Sequence, residues 1–362
     1  MKATICKLLL VVALFPFAAL AQTGNFDTVK VADGIYAAIR KEPHGLTTNA
    51  NSVFIINDDD VIVVDTTLTP GTATELLTAL RKLTDKPVRY VINTHWHDDH
   101  IMGNQVFRDA FPAADFIAHT RTLEYLPGTG LENRKQAMSE QGYPQFIKAL
   151  RSRLEKGESR PGVPLDEEER TTLSSDIKIA EAYMKENPGA RVILPTITVE
   201  DKLTIHRGSR VVEIVYLGRG HTSGDLVVHL PREGVVITGD LVIWPVPYVG
   251  APQSHPGDWS VTLEKLIALN PKVIVPGHGP IMHDSNYLKL MAELFRSIKQ
   301  QVDVSVARGD NLDQTRKSID LKSFRQQFAG DSRVRNMVFN SYVAGAGVEA
   351  AFIDATARKK SP

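Results

Sequence analysis

Between residues 93 and 104 the chain reads NTHWHDDHIMGN, which puts His95, His97, Asp99 and His100 within six positions of a sequence that has eleven histidines in all. Imidazole nitrogens joined by a carboxylate are ligands for zinc, with iron or manganese as chemical alternatives. The preceding VRYVINT reads as a strand, and side chains two apart on an extended backbone point to the same side, so His95 and His97 converge on one point. The chain then turns toward a helical stretch near residues 102–108, which sends Asp99 and His100 toward a neighbouring point. Asp98, in the same run, is expected to be a solvated acid.

Two such points need more ligands, and later strand ends offer them. LGRGHTSGD supplies His221, VVITGDL supplies Asp240 and VIVPGHGP supplies His278, each after an apolar run and beside glycines that let the backbone come close to a crowded centre. The two oxygens of Asp240 suit it to bridge two cations. The segment IWPVPYVGAPQSHP follows Asp240 directly, so Trp244, Tyr248 and His255 are candidates for a substrate-pocket wall, as is Trp96 between two ligands. The remaining histidines have plainer expected places: His229 in a sheet, His206 at the surface, His44 and His283 in loops, and His119 at a strand end.

The elements that must position these residues follow from periodicity. Apolar runs bounded by turn residues predict strands over 28–39, 52–57, 61–66 and 88–94, with ATELLTALRKL as a crossover helix before the last. A second series begins near 197 with TVEDKLTI and continues through VVEIVYLG, DLVVHLP, GVVITGD, the helical WSVTLEKLIAL and KVIVPGH. Residues 120–190 are charged, interrupted by Pro and Gly and helical in period, which predicts a helical insertion between two halves. From Tyr287 onward, Leu290, Met291, Leu294, Ile298 and Val302 form one apolar helical stripe, expected to pack into the core.

With these elements in place, the motifs VVDTTL, THWHDDH, GHTSGD, TGD and PGHG, in this order, resemble those of the metallo-β-lactamase superfamily, over roughly residues 28–284. The resemblance implies an α/β fold, a four-layer αβ/βα sandwich with the site at one edge between two sheets, here carrying a helical insertion and a helical C-terminal extension. It also implies a ligand set: His95, His97 and His221 for one metal, Asp99, His100 and His278 for a second, Asp240 as the bridge, and Asp65 supporting the histidine loop. Two Zn2+ ions would then share a hydroxide, with Asp99 and Asp240 as the catalytic carboxylates. A bridging Asp240 is similar to glyoxalase II and lactonases of the superfamily, whereas THWHDDHIMGN in an exported chain is more like its lactamases.

Composition sets the remaining bounds. At 362 residues the chain is long enough for one large domain or two modest ones, at about 100–200 residues each. Lys2 and Lys7, the apolar run Leu8 to Leu20 and the small-residue site Ala19-Leu20-Ala21 predict a signal peptide over 1–21, a mature start at Gln22 and a periplasmic or secreted protein with no stable membrane span after cleavage. The domain of residues 22–284 would be followed by a helical extension over 285–362. Cleavage removes the only cysteine, Cys6, and with it any thiol nucleophile or disulfide. It also takes Lys2 and Lys7 from the 42 basic residues and nothing from the 42 acidic ones, a balance that offers nothing to nucleic acid.

A small-molecule substrate is therefore expected, and a metal-dependent hydrolase opening an amide, ester, lactone or thioester, β-lactams included. Two alternatives remain at this level. One is an iron-dependent oxidoreductase similar to persulfide dioxygenases on the same fold; the other is a metal-binding protein without turnover.

Overall fold

The computed structural model describes residues 25–360; the expected signal peptide and Cys6 lie outside them. The first half forms β1 (Phe26–Ala32), β2 (Ile35–Arg40), β3 (Ser52–Ile56), β4 (Val61–Val64), helix α1 (Pro70–Leu83), β5 (Val88–Ile92), α2 (Asp98–Ile101), α3 (Asn104–Ala110) and β6 (Asp115–His119). The expected single strand over 28–39 is instead the hairpin β1–β2. Its turn falls at Asp33-Gly34, where Gly34 takes φ +66°, a conformation an L side chain resists.

The insertion is helical as expected. It comprises α4 (Thr120–Tyr125), α5 (Thr129–Met138), α6 (Tyr143–Lys156), the small hairpin β7 (Glu158–Arg160) and β8 (Val163–Pro164), and α7 (Glu167–Glu186). Asp166 starts α7 by accepting from the Glu169 amide while the Glu169 side chain accepts from the Asp166 amide, a reciprocal cap.

Strand β9 (Ile197–Val199) corrects a second expectation. The run TVEDKLTI is not one strand of the second half: Ile197–Val199 pairs in parallel with β6, and the chain then crosses at Glu200 and Asp201 to begin β10 (Lys202–Arg207) in the other sheet. The first sheet therefore has the order β1-β2-β3-β4-β5-β6-β9. The second comprises β10, β11 (Arg210–Tyr216), β12 (Leu226–Leu230), β13 (Val235–Ile237) and β14 (Val273–Val275), in that order, with α8 (Pro256–Ala268) connecting the last pair.

Alternation explains the four layers. Val53 and Ile55 of β3 and Ile62 and Val64 of β4 face Ile214, Leu226 and Val228 between the sheets. Their neighbours Phe54, Val61 and Val63 face the other way, onto Leu76 and Leu80 of α1 and Phe107 of α3. Both faces are covered, so these strands are apolar throughout. On the far side, Val227 and Val236 pack beneath α8 and α9 (Asn286–Arg308), where Met291, Leu294, Ile298 and Val302 are fully buried as the stripe required. Each such side chain contributes about 1.5–3 kcal/mol by leaving water.

The chain ends in α10 (Leu312–Ser318), α11 (Lys322–Ala329), α12 (Arg333–Val338), a π-helical segment Phe339–Gly347 and α13 (Val348–Lys360). Val338, Phe339, Val343 and Ala351 join the same apolar cluster as α8 and α9. Among the described residues, no helix is long and apolar enough to cross a membrane.

Candidate metal centre

Strand ends deliver the ligand-type residues to one edge of the sandwich. His95 and His97 leave the end of β5, with His97 as the residue before α2, and Asp99 and His100 stand in that short helix. His221 follows β11, Asp240 follows β13 and His278 follows β14. Two glycines are dictated by the crowding. A Cβ on Gly277 would lie 2.1 Å from Asp240 Oδ1, and one on Gly239, at φ +50°, would lie 2.3 Å from Thr94 Oγ1.

The structure brings all seven residues into two facing groups, His95, His97, His221 and Asp240 on one side and Asp99, His100, His278 and Asp240 on the other. Asp240 stands between them. Its Oδ2 lies 3.3 Å from His221 Nε2 and 3.9 Å from His95 Nε2, while its Oδ1 lies 3.2 Å from His100 Nε2 and 3.3 Å from His278 Nε2. Asp99 Oδ2 closes the second group, 3.1 Å from His278 Nε2 and 3.5 Å from His100 Nε2. Ligands held ~2.0–2.2 Å from a tetrahedral ion stand a little over 3 Å apart, which is this spacing.

Unpaired atoms point to the same occupant. His95 Nε2, His100 Nε2, His278 Nε2 and Asp240 Oδ1 are buried with no hydrogen-bond partner. An unsatisfied buried polar atom costs about 1–3 kcal/mol, and a cation in each group would satisfy all four together.

The outward-facing ring nitrogens are tethered. His100 Nδ1 donates to Asp65 Oδ2 at 2.7 Å, and Asp65 also accepts from the Thr94 amide and hydroxyl, both at 2.8 Å. His221 Nδ1 donates to the Tyr248 carbonyl at 3.0 Å, and Thr48 Oγ1 lies 3.2 Å from His278 Nδ1. Such contacts fix ring orientation and leave the inward nitrogens as ligands. Asp65 sits at φ +57° and Thr67 at +71°, backbone strain concentrated beside the site.

Charge in this enclosure is strongly organised. Burial, with neighbouring imidazoles, depresses His95 and takes His97 down to about 3, so both stay neutral and ligand-competent. Burial works against charge on His100 and His278 too, but Asp240 and Asp99 overcome it, raising His100 well above its usual value and His278 to about 9. Burial would likewise lift the carboxyl of Asp240, yet His278 and His100 hold it well below the usual range.

A cavity of about 290 Å³ opens over both groups, with His97, Asp99, His221 and Asp240 in its floor. Trp96 and Tyr248 are in its walls. Trp244 and His255 are not, which corrects their expected place. The Trp244 ring lies under the Arg335 guanidinium, 5.3 Å from ring centroid to Cζ, and His255 is held between Ser223 Oγ at 2.7 Å and Asp354 Oδ2 at 3.3 Å. Asp98 is a further correction: it is half-buried, accepting from Arg134 at 2.9 Å and from the Tyr183 hydroxyl at 2.5 Å. Its partners lie on α5 and α7, and no local pattern announces them.

Sequence reasoning missed the rest of the wall. Leu46 and Thr47 come from the loop after β2, Tyr143 and Tyr183 from the insertion, and Tyr342 from the π-helical segment. Nothing in the spacing of these residues marks them. The minor histidines are structural: His229 bonds Glu213 across the sheet at 3.0 Å, His119 Nδ1 accepts from the Arg121 amide at 3.0 Å, and His44 stacks on Tyr248.

Sandwich and paired ligand groups together define a class, an αβ/βα protein able to hold two cations at one edge of its sheets. Residues 46–278 match the family model of the metallo-beta-lactamase superfamily, and the chain belongs to that superfamily. A linear primary-alkylsulfatase from Pseudomonas sp. (strain ATCC 19151) is 26% identical over 226 residues, 61% of this chain; the match spans only 40% of that relative's length. Among solved structures, a metallo-beta-lactamase from Pontibacter korlensis superposes with a TM-score of 0.52 at 16% identity, covering 74% of this chain and 99% of its own. DIM-1 metallo-beta-lactamase gives 0.51 at 18%, with 76% and 99% covered. At these identities the two structures speak for the fold alone.

Proposed function

We propose that the protein is a hydrolase with a dinuclear centre, zinc in both positions, that opens an amide, ester, lactone or thioester bond; the relative named as an alkylsulfatase adds sulfate esters to the bonds worth testing. The observation that carries the reading is the Asp240 carboxylate with one oxygen toward each histidine group. Paired cations supply, when bound, the charge that acidifies a water and polarises the bond under attack. The chain's own part is to fix geometry. His95, His97 and His221 would hold one cation and Asp99, His100 and His278 the other, with Asp240 shared and Asp65 orienting His100. Asp99 lies in the cavity floor as well as beside His278, and its carboxylate would carry a proton to the leaving group.

The proposal includes export with a mature start at Gln22, resting on Lys2, Lys7 and the apolar run Leu8 to Leu20; the mass of the exported form decides that part. For the chemistry, the test is metal analysis beside turnover. Two zinc ions per chain, activity lost to a chelator and regained with zinc, and a loss of about 1,000-fold or more in Asp240→Ala are expected. Iron with oxygen uptake, or full activity in metal-free protein, would overturn the reading.

A further inference from the structure

The cavity above the two ligand groups is aromatic and apolar, and among the described residues no lysine or arginine lines it. Trp96, Tyr143, Tyr183, Tyr248 and Tyr342 supply rings, with Leu46, Leu68 and Val249 between them. The nearby guanidinium of Arg134 is buried and occupied, donating to Asp98 and to the Leu126 carbonyl at 3.0 Å. Asp98 is compensated by that guanidinium, which leaves the Asp99 carboxylate as negative charge in the same lining. A carboxylate or sulfate brought against these walls would find no side-chain cation to replace its lost hydration. Its remaining partner would be the cation pair, at the positions the reacting bond needs.

The hydroxyls divide unevenly. Tyr183 donates to Asp98, Tyr248 to the Gly45 carbonyl at 2.9 Å and Tyr342 to the Leu46 carbonyl at 3.3 Å. Tyr143, at the start of α6, has no hydrogen-bond partner among the described residues, although its ring is fixed against Tyr183 with centroids 5.1 Å apart. Burial and the Asp99 carboxylate keep its phenol above the ordinary range, so it remains a donor.

We infer that this pocket takes an uncharged ester, lactone or amide bearing a ring-sized apolar group, and that the Tyr143 hydroxyl donates a hydrogen bond to that substrate. The bond type rests on the hydrolase reading; the preference for a neutral ring does not.

Two measurements separate these parts. In the first, 2-naphthol and 2-naphthoate are titrated calorimetrically into the chelator-treated full chain, its fold checked by circular dichroism. The neutral probe should bind at least about tenfold more tightly. Equal or tighter binding of naphthoate would overturn the inference. Tyr143→Phe should weaken 2-naphthol about 5–10-fold and leave naphthalene unchanged; loss of both would reduce Tyr143 to packing. In the second, the zinc-loaded protein is given 2-naphthyl acetate, nitrocefin and 4-nitrophenyl sulfate. Turnover led by the neutral ester supports the inference. Turnover led by either anion removes the substrate class and keeps the hydrolase. No turnover on any of the three, with naphthol still preferred in the first experiment, removes the hydrolase and keeps the pocket.

Discussion

The floor and the walls of the site are built in opposite ways. The floor takes its seven ligand-type residues from strand ends and the short helical turns directly after them, four of them within six positions, and every one belongs to a short motif. The walls take side chains from the loop after β2, from three insertion helices, from the segment after Asp240 and from the π-helical stretch near the C-terminus. A floor assembled from rigid strands suits chemistry, which needs fixed distances. Walls drawn from loops and added helices suit substrate choice, which needs variation in shape.

The strongest way to break this contrast is at the floor. Asp65 touches neither cavity nor, in the proposed centre, a cation, yet it accepts three hydrogen bonds that aim His100 and hold Thr94. Asp65→Asn tolerates the positive φ, because asparagine shares aspartate's ease there, but it leaves one acceptor oxygen where three donors converge. Metal affinity should fall about 10–100-fold with the fold intact, read by competition with a chromogenic chelator. Unchanged affinity would mean that strand ends alone set the ligands.

That contrast also explains what the sequence made legible. The ligand motifs needed only short-range geometry: period two along a strand for His95 and His97, and glycines where the backbone crowds Asp240. The four layers followed from strands apolar on both faces. Asp98 is not the solvated acid that its run suggests, because its partners, Arg134 and Tyr183, lie 36 and 85 residues away. Tyr143 and Tyr342 were invisible for the same reason, and the corner at Glu200 and Asp201 was hidden because both halves of TVEDKLTI alternate as strands do.

A middle-sized effect is expected in the wall. Asp176 of α7 is buried and accepts from the Leu46 amide at 3.1 Å and from the Thr47 amide and hydroxyl at 3.0 Å, pinning the 46–48 loop over the cavity. Asp176→Ala would strand those donors, at about 1–3 kcal/mol of stability, and should raise KM more than it lowers kcat. Asp176→Asn keeps one acceptor and should lose less. Burial raises the Asp176 pKa despite the amides that favour its anion, so the folded state binds more protons than the unfolded one between the ordinary carboxylate value and the raised one. Its contribution is therefore full below that window and declines as pH rises through it. Across mildly acidic pH, stability from urea melts should change with a more positive slope in Asp176→Asn, because that declining contribution is gone; an unaltered slope would place the titration elsewhere.

The smallest effect is expected where floor and extension meet. Ser223 Oγ, His255 and Asp354 line up at 2.7 and 3.3 Å, distances that also suit a serine nucleophile with its base and orienting acid. The surroundings argue for a joint instead. Neither Ser223 nor His255 lines the site cavity, and the amide of Gly224, next to the serine, already donates to Thr222 Oγ1 at 3.1 Å. The contact thus links the loop that carries His221 to α13. Asp354→Ala should lower stability by less than about 1 kcal/mol, the scale of one partly exposed hydrogen bond, and leave kcat unchanged. A fluorophosphonate should not label Ser223 in either protein. Labelling that Asp354→Ala abolishes would show that the extension brings a second reactive centre to the molecule, and floor and extension could no longer be divided into chemistry and support.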